Sequence, residues 1–294
     1  MQTLNECIPC FVRQAEEAVA FATRDPARRE KILRQILHAL ADADWAGSPP
    51  AIAQRLHRII RKETGESDPY RGVKERMNGL ALEALPCCGE SIAKAADPQE
   101  AAVRVAVAGN LLDSGAKIQI QPENLPHLLA TLWERPLAGD PHELFLAAEK
   151  AERILYLADN AGEIVFDRLL LNFLPIEKVT LAVRGRPVLN DALRGDAEVA
   201  GFTGLVPVID NGSDAPGTVL EDCSEEFREY FDRAGLIISK GQGNYETLSA
   251  VRAPIFFLFT VKCPIVAAQI GEPTGTMIAK KSALWAASHL GAKL

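Results

Sequence analysis

Asp159, Asn160 and Asp191 of this 294-residue chain offer oxygen donors only. Carboxylate and amide oxygens suit a hard divalent cation such as Mg2+ or Mn2+. Lys240 and Lys262 would add fixed positive charge, and Gly241 and Gly243 let backbone N–H groups approach an anion at a helix start. A cation, two lysines and a glycine nest form a set of groups that handles phosphate. None of the five histidines (His38, His57, His127, His142, His289) lies in these segments, which argues against a zinc hydrolase; for His57 and His127 helix packing or surface is expected.

The elements that must position these residues are legible as apolar runs. Residues 154–158, 179–183, 205–209, 236–239 and 255–260 read as short strands, alternating with helix-like stretches at 165–173, 217–233 and 245–251. Such alternation implies βαβ units and a parallel sheet covered on both faces. Right-handed crossovers then bring the five carboxyl ends to one edge, where open α/β sheets bind ligands. In chain order the ends carry Asp159-Asn160, Arg184 to Asp191, Asp210-Asn211-Gly212-Ser213-Asp214, Lys240 to Asn244, and Thr260-Val261-Lys262-Cys263. One such cluster is ordinary turn chemistry. Five in succession point to a shared site.

The first half reads as helical. Ile32, Leu33, Ile36, Leu37 and Leu40 fall on one face, and Ile52, Leu56, Ile59 and Ile60 repeat the pattern after Ser48-Pro49-Pro50. A third helix is expected over 70–85, ending at Pro86, with Lys74 and Asn78 on one face. A fourth is expected over 101–112, closing with Asp113-Ser114-Gly115. The expected organisation is an all-helical N-terminal domain over 1–145 and a Rossmann-like α/β domain over 146–294, its sheet mostly parallel with helices on both faces.

Bulk properties narrow the partners. A composition 48% hydrophobic and 24% charged is that of a soluble globular protein. A net charge of −7 argues against nucleic acid as a partner, leaving room for a local cationic pocket. The first residues lack a signal-peptide pattern, and the run 254–261 is too short to span a bilayer. A cytoplasmic protein with no membrane partner is expected; the oligomeric state is not legible. Cys7-x-x-Cys10 has zinc or redox spacing, to which Cys87-Cys88 could add ligands, but adjacent cysteines rarely suit one tetrahedral site. Plain buried thiols are the other reading. Gly241-Gln242-Gly243 lacks the third glycine of a dinucleotide fingerprint, and no P-loop or nucleophile elbow is present.

The segments Ala158-Asp159-Asn160-Ala161-Gly162-Glu163, Leu189-Asn190-Asp191 and Ser239 to Glu246 resemble the metal-dependent damage-control phosphatases, formerly domain of unknown function 89. Thr260-Val261-Lys262-Cys263, Cys7-x-x-Cys10, Asp68-Pro69-Tyr70 with Lys74, and Ala108-Gly109-Asn110 with Asp113 extend the likeness along nearly the whole chain. The Cys-x-x-Cys is similar to that of the short prokaryotic branch. The resemblance implies a helical domain against a Rossmann-like one, with a divalent ion (Mg2+, Mn2+, or another first-row ion such as Co2+ or Ni2+) held by Asp159, Asn160 and Asp191. It implies that the phosphate of a small phosphorylated metabolite meets Lys240, Gly241, Gln242, Gly243, Asn244 and Lys262. Asn110, Asp113, Tyr70 and Lys74 would reach the pocket from the helical side. The implied reaction is phosphomonoester hydrolysis with Asp159, Asp191, Lys240 and Lys262 as catalytic groups, the nucleophile being water or the Asp159 carboxylate. Eukaryotic members carry an arginine where this chain has Phe259. A non-catalytic sensor of a phosphorylated ligand could use the same residues. A nucleotide-cofactor enzyme would need an acidic residue where this chain has Arg184.

Overall fold

Helix punctuation is written into the first hundred residues. Asp25 caps α2 (Pro26–Ala41) by accepting the Ala27 N–H at 3.0 Å, and Asp97 caps α5 (Pro98–Ala108) by accepting that of Glu100 at 3.0 Å. Each is followed by a proline whose missing N–H costs nothing in a first turn. With α1 (Ile8–Ala22), α3 (Pro49–Thr64) and α4 (Arg71–Lys94) these form the amino-terminal helices of the computed structural model, which describes residues 1–109 and 131–290. Helix α4 does not stop at Pro86 as expected but runs eight residues beyond it. A proline inside a helix costs about 3 kcal/mol. Here Ala81, Ala84, Cys88 and Ile92 keep one buried face in register through the interruption, and burial outweighs the lost hydrogen bond.

The rest of the chain supplies β1 (Leu137–Gly139), α6 (His142–Lys150), β2 (Ile154–Leu157), α7 (Glu163–Leu171), β3 (Val179–Val183), α8 (Arg194–Val199), β4 (Val208–Asp210), α9 (Glu225–Arg233), β5 (Leu236–Lys240), α10 (Gln242–Leu248), β6 (Ile255–Thr260), α11 (Pro264–Ile270), β7 (Met277–Lys281) and α12 (Ala283–Leu290). The seven strands form one sheet in the order β1-β7-β6-β5-β2-β3-β4. From β6 to β4 every pairing is parallel, as expected. β7 pairs antiparallel with β6 and parallel with β1. These two were not foreseen: β1 has three residues, and β7 ends in two lysines that break its apolar pattern. β4 begins three residues later than expected, and the stretch 217–233 is helical in α9 with one 3-10 turn, Leu220–Asp222, before it.

Side chains of one strand alternate between two cores, so β2 and β6 are buried on both sides and read as unbroken apolar runs. Tyr156, Leu181, Ile238 and Phe256 join α4, α5, α6 and α7 on one face; Leu155, Ala182, Ile237 and Phe257 join α9, α10 and α11 on the other. A third core binds α1, α2 and α3 together, with Ile265 of α11 packed against it. Helix α3 is also tied to the loop after β4: Arg58 pairs with Asp214 at 2.5 Å and Asp222 at 3.0 Å, and Arg61 with Asp214. No described helix is long and apolar enough to cross a membrane.

His57 lies buried in α3 beside Tyr70; His127 lies outside the described residues. Burial, with Arg61 adding to it and Asp214 opposing, lowers the His57 pKa from 6.5 to about 4. The unfolded chain therefore takes up a proton near pH 6.5 that the folded one refuses until about pH 4, and stability falls as pH drops through that window. The full loss is about 3 kcal/mol. Urea titrations at pH 7 and pH 4 should show His57→Phe losing that much less than wild type; equal losses would refute the assignment.

Candidate active site

The parallel strands run β4-β3-β2-β5-β6, and consecutive connections turn to opposite sides at the β2–β5 boundary. The crevice at such a switch point, outside the carboxyl ends, is where doubly wound sheets take ligands. Asp159 and Asn160 leave β2 at that point. The Ala192 N–H donates to the Asp159 carbonyl and the Ala161 N–H to the Asn190 carbonyl, both at 2.9 Å, and Asn160 pairs antiparallel with Asp191. Backbone bonds thus lay the Asp191 segment alongside Asp159-Asn160, bringing Asp191 to a pair 32 and 31 positions earlier in sequence. Leu189, at φ 45° in the left-handed region, makes the turn that returns the chain toward β2.

The side chains form a buried, acidic cluster. Asn160 Nδ2 donates to Asp159 Oδ2 at 2.8 Å and to Glu163 Oε2 at 3.3 Å. Arg184 Nε donates to Asp191 Oδ2 at 2.6 Å; its Nη2 donates to Asn244 Oδ1 at 3.2 Å and lies 3.8 Å from Asp159 Oδ1. Arg184 is therefore the guanidinium between the two carboxylates, a role its sequence position did not suggest. Burial pushes the Asp191 carboxyl upward, only partly offset by Arg184, and Asp159 pushes it further the same way. Behind it, Glu163 and Asp167 are raised by burial and held down in part by Lys240. Four carboxylates, Asp159, Asp191, Glu163 and Asp167, are gathered around Arg184 and Lys240. The all-oxygen donor set of Asp159, Asn160 and Asp191 fits a hard divalent cation. A set of three His, Cys, Asp or Glu placed to hold a metal does not occur among the described residues; this one comprises two carboxylates and an amide.

Lys240 is placed otherwise than the sequence suggested. Its Nζ is fully buried, donating to Glu163 Oε1 at 2.6 Å, Asp167 Oδ1 at 2.5 Å and the Ala106 carbonyl at 3.0 Å. All three donors are engaged, so the ammonium does not present itself to a phosphate. Burial alone would lower its pKa; Asp167 and Glu163 outweigh that and raise it. A signal for this is available: Glu163 and Asp167 are four apart on a helix whose other residues except Arg168 are apolar, and buried acids require a cation.

The loop after β5 lies against Asp159. Gly241 has φ +80°, and a Cβ there would fall 2.0 Å from Asp159 Oδ2. Gly241→Ala should therefore displace that carboxylate; with misplacement on this scale worth about a hundredfold in rate, hydrolysis of p-nitrophenyl phosphate should fall by that factor. Activity within threefold of wild type would show that Asp159 need not sit there. Gly243 packs against the Pro216 carbonyl, where a Cβ would come to 2.2 Å. Asn244 is buried: Nδ2 donates to the Lys240 carbonyl at 2.7 Å, and Oδ1 accepts from Arg184 and from Thr218 at 2.8 Å. Asn244 thus braces three loops. Gln242 accepts the Lys262 N–H at 2.8 Å, bringing the Lys262 backbone to the same loop, and Lys262 is exposed. Phe259 is buried in the sheet, its ring 4.9 Å from that of Tyr245, so that position offers no polar group to a ligand.

From the helical side, Lys74 is buried against Asp68 at 2.7 Å and Asp196 at 3.7 Å, and its charge reaches Asp191. Tyr70 is buried, its hydroxyl donating to Glu17 at 3.3 Å. Asn110 and Asp113 lie outside the described residues. Cys7 and Cys88 are buried with thiols raised by burial, Cys10 is exposed, and all six cysteines are free.

Residues 3–278 match the Damage-control phosphatase ARMT1-like domain. An uncharacterized protein of Methanocaldococcus jannaschii is 34% identical, with 94% of each chain covered. A damage-control phosphatase of Archaeoglobus fulgidus is 33% identical over 93% of this chain and 97% of its own. The crystal structure of a DUF89 family protein from Pyrococcus horikoshii superposes with a TM-score of 0.88 at 31% identity, covering 96% of this chain and 99% of that one.

Proposed function

The chain belongs to the damage-control phosphatase ARMT1-like family, and from that membership we propose that it is a divalent-metal-dependent phosphatase hydrolysing the phosphomonoester of a small phosphorylated metabolite. The observation that carries the reading is the meeting of Asp159, Asn160 and Asp191, an all-oxygen donor set, at the switch point of the sheet. When bound, a divalent ion supplies charge neutralisation to the phosphoryl oxygens. The chain's own residues do the rest. Asp159, Asn160 and Asp191 hold the ion; Arg184 fixes the Asp191 carboxylate and ties it to Asn244. We assign the phosphate to the loop from Gly241 to Asn244 and to Lys262, whose backbone Gln242 anchors. Because phosphoryl transfer is mostly positioning and electrostatics, this rigid and buried frame suits it. Lys240 contributes from behind, keeping Glu163 in place against Asn160.

The test is hydrolysis of p-nitrophenyl phosphate by EDTA-treated protein with and without added Mg2+, Mn2+, Co2+ or Ni2+. Turnover should vanish on chelation and return with at least one of these ions. Undiminished turnover after chelation would sink the metal-dependent reading.

A further inference from the structure

One buried amide on the helical side touches both segments that carry the proposed metal ligands. Asn78 lies on α4 one turn after Lys74 and is 3% exposed. Its Oδ1 accepts the Gly162 N–H at 2.7 Å, two residues beyond Asn160. Its Nδ2 donates to Asp196 Oδ1 at 2.8 Å, and Asp196 Oδ2 accepts the Leu193 N–H at 2.9 Å, two residues beyond Asp191. Gly162 comes in close, at φ +75°, where a Cβ would stand 3.1 Å from the Met77 carbonyl oxygen. The α4 backbone and the Asn78 side chain together therefore set how far the β2 segment stands from the helix. Through Asp196 the same side chain sets how far the β3 segment stands.

We propose that Asn78 is a positioning residue that fixes the separation of Asp159-Asn160 from Asp191 and so sets the affinity for the divalent ion. The inference rests on the metal-dependent reading above. A buried amide is costly unless both its ends are bonded. Here both ends are bonded, one to each ligand-bearing segment. Asn78 is also neutral, so its removal leaves the charge of the site unchanged and any change in ion affinity is geometric. Outer groups that orient metal ligands are worth about 10- to 100-fold in affinity.

The experiment is calorimetric titration of Mn2+ alone into EDTA-treated wild type, Asn78→Ala, Asp196→Ala and the double variant, with the melting temperature of each. Asn78→Ala should bind Mn2+ about 10- to 100-fold more weakly, and the double variant no more weakly than the weaker single one, because both break the same link. An unchanged Kd with a lowered melting temperature would make Asn78 a packing residue and overturn the inference; so would losses that add independently. If Asn78→Ala does not fold, Asn78→Ser, which keeps an oxygen near Gly162, should show a loss in the same direction, and an unchanged Kd there overturns the inference equally. Wild type that binds no Mn2+ overturns the metal-dependent reading itself and this inference with it, a result distinct from wild-type binding that the variants retain.

Discussion

Asp191→Asn should lower Mn2+-supported hydrolysis of p-nitrophenyl phosphate by about a thousandfold, the scale of losing a preorganised electrostatic group from a buried site. The asparagine keeps the shape of the side chain and the Asn160–Asp191 backbone pairing, so the fold is not the variable. What changes is charge. The partner of Arg184 becomes a neutral oxygen, and the set meant for the ion keeps a single carboxylate, Asp159. Asp191→Ala is a poorer probe, because it leaves Arg184, 3% exposed, without its closest counter-ion. The check is kcat and KM against Mn2+ concentration, beside circular dichroism and a melting curve. Activity within tenfold of wild type at every Mn2+ level would remove Asp191 from the metal set.

Lys240→Met should cost about 3–5 kcal/mol in stability, the usual price of leaving a buried carboxylate without its partner. Here two carboxylates lose the same ammonium, and the Ala106 carbonyl loses a donor, so the upper half of that range is expected. Urea denaturation measures it. A double variant, Lys240→Met with Asp167→Asn, should recover part of the loss, since removing one of the two stranded charges relieves the site. The measurement also separates two roles for the lysine. A phosphate contact would raise KM and leave the unfolding midpoint alone; the buried ion pairs require the reverse.

Much of the frame was readable in advance because burial on both faces leaves an unambiguous trace. From Ile255 to Phe259 each side chain enters one of two cores, and Val179–Val183, with four of its five side chains so placed, matches to the residue. Pro86 misled because the rule it obeys is local, whereas the face formed by Ala81, Ala84, Cys88 and Ile92 is paid out in tertiary contacts. At the site, Asp159, Asn160 and Asp191 were visible as types. Their meeting depended on one backbone pairing that no pattern encodes. Lys240 is visible in the sequence, but its carboxylate partners stand on α7, and nothing along β5 announces them. Arg184 in sequence says only that no acid stands there to hold a ribose; its place between two aspartates follows from the strand order.

The strand that closes the sheet is made after the other six. β7 lies between β6 and β1, so neither has its neighbour on that side until residues 277–281 have left the ribosome. Until then β6 offers an unpaired edge on an Ile-Phe-Phe-Leu-Phe-Thr ribbon, the kind of segment that pairs with copies of itself. Pairing with β7, whose Lys280 and Lys281 bond Glu272 and Glu143, covers that edge. A nascent chain arrested before Met277 would carry that ribbon bare.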